Sequence, residues 1–210
     1  MKILYFSLKG GVGKSSLALN HSIENGDYVY VTNDIVSDID RSQLFEFYQI
    51  MDKKKRIPQK LTHLKNVIFD FGAMSSTPDP KITHAVTICD GVVIPTLTDE
   101  RSLKATIESY NFIKDNAKRI IIVINNYTQE KKYDYAYKLL SEALDNPIIL
   151  GVRTSTLFER VAKDGADWFR NIHHGKGVHQ LIKSKKIHQE LYNEINYLTG
   201  RKYEIITNTI

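Results

Sequence analysis

The sequence predicts an α/β fold: a mostly parallel, twisted sheet with helices on both faces, arranged as three layers, α/β/α. Three observations lead there. Strand-length apolar runs recur along the 210 residues, stretches of helical character separate them, and a glycine-rich loop joins the first run directly to the first helix. Strands that are apolar along their whole length are the kind buried on both faces, and helical connections between them favour parallel pairing.

The elements follow in order. Ile3-Leu4-Tyr5-Phe6 reads as the first strand and Lys14 to Glu24 as the first helix, stopped by Gly26 ahead of the strand Tyr28-Val29-Tyr30-Val31. A helix is expected over Ser42 to Met51, then a basic, polar segment, then the strand Val67-Ile68-Phe69. The helix Lys81 to Ile88 leads to the strand Gly91 to Pro95, Glu100 to Asn116 to the strand Ile120 to Ile124, and Lys132 to Leu144 to the strand Pro147 to Leu150. Helices over Thr156 to Gly165 and from about Val178 to Leu198 complete the pattern. No internal repeat, low-complexity stretch or proline-rich linker interrupts it. Residues 1–210 are therefore expected to form one domain, with about 178–210 as a helix and tail packed on it.

Composition narrows the setting. Twenty-nine basic against twenty-four acidic side chains leave a net charge of +5 and favour an acidic partner such as nucleic acid. Cys89 is the single cysteine, so no internal disulfide can form, and the first residues enter a strand directly, with no signal-peptide pattern. No apolar run approaches the roughly eighteen residues of a membrane span. A cytoplasmic protein with no membrane partner is the expectation.

The chemistry concentrates in Lys9-Gly10-Gly11-Val12-Gly13-Lys14-Ser15-Ser16, between the first strand and the first helix. Glycines let backbone N–H groups turn inward around an anion, and the helix N-terminus adds partial positive charge. A lysine neutralises phosphate and a serine hydroxyl can ligate magnesium. The segment therefore reads as the phosphate-binding loop of a nucleotide triphosphatase. In open parallel sheets ligands sit beyond the carboxyl ends of the strands, and Asp70 closes the apolar strand of VIFDFG, where its carboxylate can reach the magnesium shell.

The standard phosphate-loop pattern has glycine where this chain has Leu8, and this chain has a second lysine, Lys9, at the loop entrance. In this respect KGGVGKSS resembles the deviant Walker A loop of the ParA/MinD family of ATPases, a similarity that extends over about residues 1–170. The resemblance implies a P-loop NTPase fold with ATP and Mg2+ as cofactors. Gly10, Gly11, Val12, Gly13 and Ser16 would line the phosphate cradle, Lys14 would hold the β- and γ-phosphates, and Ser15 and Asp70 would serve the metal. Lys9 would reach across a nucleotide-sandwich homodimer to the partner's phosphates. Gly72 falls near the γ-phosphate, Asn125 matches an asparagine that reads the adenine amino group, and Gly151 to Thr156 matches a loop bordering the base. The family's D-x-D-P-Q segment supplies a carboxylate for the attacking water. Counted from the strand end that residue is Asp34; counted by motif, within Asp38-Ile39-Asp40-Arg41-Ser42-Gln43, it is Asp40. Asp38 and Asp40 also suit an N-cap for the helix expected near Ser42.

Family resemblance leaves several functions open. A lone cysteine rules out an iron–sulfur reductase that needs two cluster thiolates per subunit. The sequence closes on Tyr203 to Ile210, largely uncharged, where a membrane-positioning relative would carry an amphipathic basic helix. The partition type fits better, with basic clusters at Lys53-Lys54-Lys55-Arg56, Lys183-Ser184-Lys185-Lys186 and Arg201-Lys202 for sequence-independent DNA contact. The expectation is a ParA-like ATPase that segregates or positions plasmid DNA, with hydrolysis controlled by a ParB-like centromere-binding adaptor. With no helix-turn-helix before the first strand, operator recognition is not expected. A conjugation-related DNA-transfer ATPase or a bacterial tyrosine kinase on the same scaffold is the alternative, although Tyr192, Tyr197 and Tyr203 are spaced for packing. His173-His174 reads as surface loop, with no ligand partner at metal spacing.

Overall fold

A computed structural model describes residues 1–33, 44, 46–50, 56–72, 79–157, 172 and 179–201. Strands β1 (Lys2–Tyr5), β2 (Val29–Thr32), β3 (Glu46–Gln49), β4 (Val67–Asp70), β5 (Gly91–Thr96), β6 (Ile120–Tyr127) and β7 (Ile148–Arg153) form one sheet in the order β3-β2-β4-β1-β5-β6-β7. Every pairing is parallel. The described helices are α1 (Lys14–Asn25), α2 (Gln59–Thr62), α3 (Pro80–Ile88), α4 (Glu100–Ile113), α5 (Glu130–Ala143) and α6 (His179–Leu198).

Alternation along each strand divides the apolar residues between two cores. Tyr5, Tyr30, Ile68 and Val93 face one side, where α1 contributes Leu17 and Ala18 and α6 contributes Leu191, Tyr192 and Ile195. Leu4, Val31, Phe69 and Ile94 face the other, covered by α3 through Ile82 and Ala85, α4 through Leu103, and α5 through Ala136 and Leu140. Strands sandwiched in this way are apolar on both faces of the pleat, which is why their sequences read as continuous apolar runs.

Helix termini follow local chemistry. Gly26 closes α1 in the left-handed conformation and donates its N–H to the Ser22 carbonyl at 3.1 Å. Asp79 caps α3 by accepting from the Lys81 N–H, and Pro80 occupies the first turn, where a missing N–H costs nothing. Asp99 caps α4 through the Ser102 N–H at 3.0 Å.

One expected element is corrected. Residues 46–49, read from sequence as part of a helix over Ser42 to Met51, form β3 at the sheet edge, in register with β2 from Val29↔Glu46 to Thr32↔Gln49. The reason lies in adjacent aromatic residues that point to opposite faces: Phe47 stacks on Tyr30 at 6.1 Å, whereas Tyr48 packs against the other core. Period two governs here, and aromatic side chains favour the pleated surface. The short α2, entered through Pro58, falls in a stretch expected only to be basic and polar.

Candidate functional site

The carboxyl ends of β1 and β4 lie side by side at the centre of the sheet, with Tyr5 in register with Asp70. The loop leaving β1 therefore passes directly beside Asp70. Gly11 and Gly13 in that loop have φ of +76° and +85°, a left-handed backbone that glycine adopts without steric penalty. Gly13 is the N-cap of α1, which has neither a side-chain cap nor an acidic residue in its first turn. The first-turn N–H groups and the positive end of the helix dipole thus converge on the loop, an arrangement suited to an anion.

Lys14 folds back from the start of α1 to form a buried ion pair with Asp70 Oδ1, and its ammonium lies 3.3 Å from the Ser15 hydroxyl. Asp70 is 0% exposed, and its second oxygen accepts a hydrogen bond from the Tyr30 hydroxyl at 2.6 Å. A buried carboxylate is tolerable only when it is paired and hydrogen-bonded, and both oxygens of Asp70 meet that demand. Ser15 and Asp70 form a hard-oxygen set. Among the described residues no group of three or more histidine, cysteine or acidic side chains stands together. A hydroxyl and one carboxylate beside an anion cradle are what a magnesium ion uses when phosphate oxygens and water complete its shell.

Other contacts fix the loop. Asn125, at the end of β6, donates from Nδ2 to the Val12 carbonyl at 3.1 Å and lies against Gly13 so closely that a Cβ there would run into its amide. The Leu8 N–H donates to the Ser109 hydroxyl of α4 at 3.0 Å, and the Lys9 N–H to the Ser7 hydroxyl at 3.2 Å. The Asp99 carboxyl is held below its usual range, first by the hydrogen bond from the Ser102 side chain, with the Lys9 charge adding to it. Beyond Asp70, the Gly72 N–H donates to Asn33 Oδ1 at 2.6 Å, tying the end of β2 to the segment after β4.

A cleft of about 210 Å³ opens beside the loop, lined by Gly11, Gly13, Ser16, Asn126, Arg153 and Ser155. Asn126 has a φ of +58° at an irregularity in the β6–β7 pairing between Ile124 and Tyr127, and its carbonyl accepts from the Thr154 hydroxyl at 3.0 Å. Arg153 pairs with Glu130 and sits over the Tyr127 ring at 5.8 Å.

The fold thus brings Lys14, Ser15, Asp70 and the loop from Gly10 to Ser16 together, with Asn125 beneath them. Asp34 and Asp40 lie outside the described residues, as do Lys53 to Lys55, His173-His174 and Lys202. In the last-helix cluster Lys183 and Lys186 are exposed, whereas Lys185 is buried, and Arg201 is paired with Asp27 at 3.0 Å. No described helix is long and apolar enough to cross a membrane. Sequence reasoning missed the Tyr30 hydroxyl on Asp70. No local signal marks it, since Tyr30 and Asp70 are 40 positions apart and the pairing of β2 with β4 brings them together.

No family model and no curated protein sequence matches this chain. Solved structures do. MinD from Pyrococcus horikoshii, a septum site-determining protein complexed with Mg-ADP, superposes with a TM-score of 0.65 at 15% identity, covering 97% of this chain and 99% of that one. McdA from Cyanothece in its ATP complex gives 0.62 at 11%, covering 96% and 97%. A ParA-family ATPase from Chlorobium tepidum gives 0.62 at 16%, covering 91% and 98%. With its seven described parallel strands, helices on both faces of the sheet and a loop between β1 and α1, the chain has the fold of these MinD and ParA-family structures.

Proposed function

We propose that this protein is a ParA-like ATPase that binds ATP with Mg2+, pairs into a nucleotide-sandwich homodimer, contacts DNA without sequence preference and hydrolyses ATP under control of an adaptor. The observation that carries this reading is the convergence of Lys14, Ser15 and Asp70 on an uncapped helix N-terminus behind left-handed glycines. The neighbours in fold are described as bound to ATP or Mg-ADP, which supports the same ligands here.

In this reading the loop amides and Lys14 receive the phosphates, and the Lys14 ammonium exchanges Asp70 for phosphate oxygen. Magnesium, when bound, neutralises charge on the phosphates, with Ser15 and Asp70 as its protein-side oxygens. The cleft toward Asn126 and Arg153 takes the nucleoside. Asp34 or Asp40 orients the attacking water. Lys9, half-buried at the loop entrance, serves the partner's nucleotide. Dimerisation sets two weak basic surfaces on one duplex, so ATP controls DNA affinity through avidity. Lys183, Lys186 and Arg56 are the exposed cations available for it among the described residues of the clusters. A ParB-like centromere-binding partner is the adaptor this scheme calls for, and movement of plasmid DNA is its outcome.

Sedimentation and a DNA shift assay test the scheme together. Lys9→Ala should bind ATP as the wild type does, yet stay monomeric and fail to shift DNA. Dimerisation and a DNA shift by Lys9→Ala equal to those of the wild type would remove the sandwich-dimer part of the reading.

A further inference from the structure

The sheet places two buried tyrosines on the strands either side of Asp70, and they behave differently. Tyr5 on β1 is in register with Asp70, but its hydroxyl is engaged with His21 Nδ1 at 2.8 Å. Tyr30 on β2 lies diagonally across from Asp70, and its hydroxyl donates to Asp70 Oδ2. A donor–acceptor distance of 2.6 Å is that of a charge-assisted hydrogen bond from a hydroxyl to a carboxylate.

We propose that Tyr30 is a positioning residue for the metal carboxylate: its hydroxyl clamps Asp70 Oδ2 and leaves Oδ1 as the oxygen directed to Lys14 and to the divalent cation. The inference rests on the nucleotide and metal reading above.

Two features make the clamp effective. Tyr30 is fully buried and its ring stacks on Phe47 of β3 at an interplanar angle of 19°, so the hydroxyl sits at a fixed point. The carboxylate, in turn, has both oxygens engaged, and once Lys14 turns from Oδ1 to the phosphates the Tyr30 hydrogen bond on Oδ2 still holds its orientation. A magnesium ion demands near-ideal octahedral geometry, which penalises a ligand free to turn. Partners that orient a metal ligand without touching the metal typically contribute about 10- to 100-fold in metal affinity.

The test uses Mn2+ as a paramagnetic probe, titrated into the ADP-loaded protein and read by electron paramagnetic resonance. Affinity for a fluorescent ADP analogue in EDTA is measured alongside. Tyr30→Phe should weaken Mn2+ binding by about 10- to 100-fold while leaving metal-free nucleotide affinity unchanged. Tyr5→Phe, which removes a buried hydroxyl from the same sheet face without touching the carboxylate, should leave both unchanged. In an Asp70→Asn background the Tyr30→Phe change should have no further effect on Mn2+. Mn2+ binding by Tyr30→Phe equal to that of the wild type overturns the proposal, as does an equal loss in Tyr5→Phe. A Tyr30→Phe protein that fails to fold by circular dichroism overturns it too, since the hydroxyl would then serve the core. Failure of the wild type itself to take up the ADP analogue would overturn the nucleotide reading, a result separate from any of these.

Discussion

Gly13 shows how much depends on one missing side chain. Its φ of +85° and its closeness to the Asn125 amide leave no room for a Cβ, so the loop's shape and its attachment to β6 are set together. Gly13→Ala should lose about 1–2 kcal/mol from the left-handed backbone alone, and more from displacing Asn125. Thermal melting should show the lowered stability, and a fluorescent-nucleotide titration should show weakened binding. Unchanged melting and binding would mean the loop tolerates a side chain there. At this scale the sequence was informative where backbone chemistry is local: glycines, Lys14 and Ser15 identify themselves by spacing, and Asp70 by its place at a strand end. Tyr30 and Asn33 were not legible as site residues, because their partners, Asp70 and Gly72, are 40 and 39 positions away and are brought close only by strand pairing.

At the scale of elements, α1 is held against α6 by a buried polar network. Asn196 Nδ2 donates to Asn25 Oδ1 at 2.9 Å, so Asn196 Oδ1 accepts, from the Tyr28 hydroxyl and from His21 Nε2 at 3.0 Å. His21 Nδ1 is then the acceptor for the Tyr5 hydroxyl, which fixes a neutral tautomer. His21 is also stacked on Tyr192 at 4.7 Å. Burial, the largest influence, lowers its pKa to about 3, with Arg201 adding to the effect against the hydrogen bond to Asn196. The unfolded chain takes up this proton near pH 6.5 while the folded one does not. Stability should therefore be fully present above about pH 6.5 and fall as pH drops toward 3, by a few kcal/mol for a group so fully buried. Denaturant midpoints for wild type and His21→Gln, compared at pH 7 and pH 4.5, check this. The wild type should lose its advantage at the lower pH, and a difference independent of pH would refute it. Among the elements, long apolar or amphipathic ones were readable. The stretch at 46–49 was not, because four residues at a sheet edge carry too short a period to separate strand from helix, and pairing with β2 decided it.

For the molecule as a whole, the sheet order explains why one end of it concentrates the chemistry. β1 lies between β4 and β5, so the loop after β1 has the Asp70 end of β4 on one side and the Asn125 end of β6 two strands away on the other. The three-layer architecture was visible in the sequence because sandwiched parallel strands cannot hide their apolar runs. The positive charge was visible too, but not its disposition: a lysine run on a helix is divided by the helix itself, which buries Lys185 and exposes Lys183 and Lys186.

The proposed grip of the loop on a nucleoside triphosphate is tested most directly by calorimetric titration of ATP with Mg2+ into wild type and Lys14→Gln. Glutamine can still donate a hydrogen bond to Asp70 but leaves its buried charge unpaired, so stability should fall, and melting checks that Lys14→Gln is folded at the titration temperature. The wild type should bind one ATP per chain with measurable heat, and Lys14→Gln should give none. A silent wild type, or a Lys14→Gln protein that binds equally well, would contradict the account.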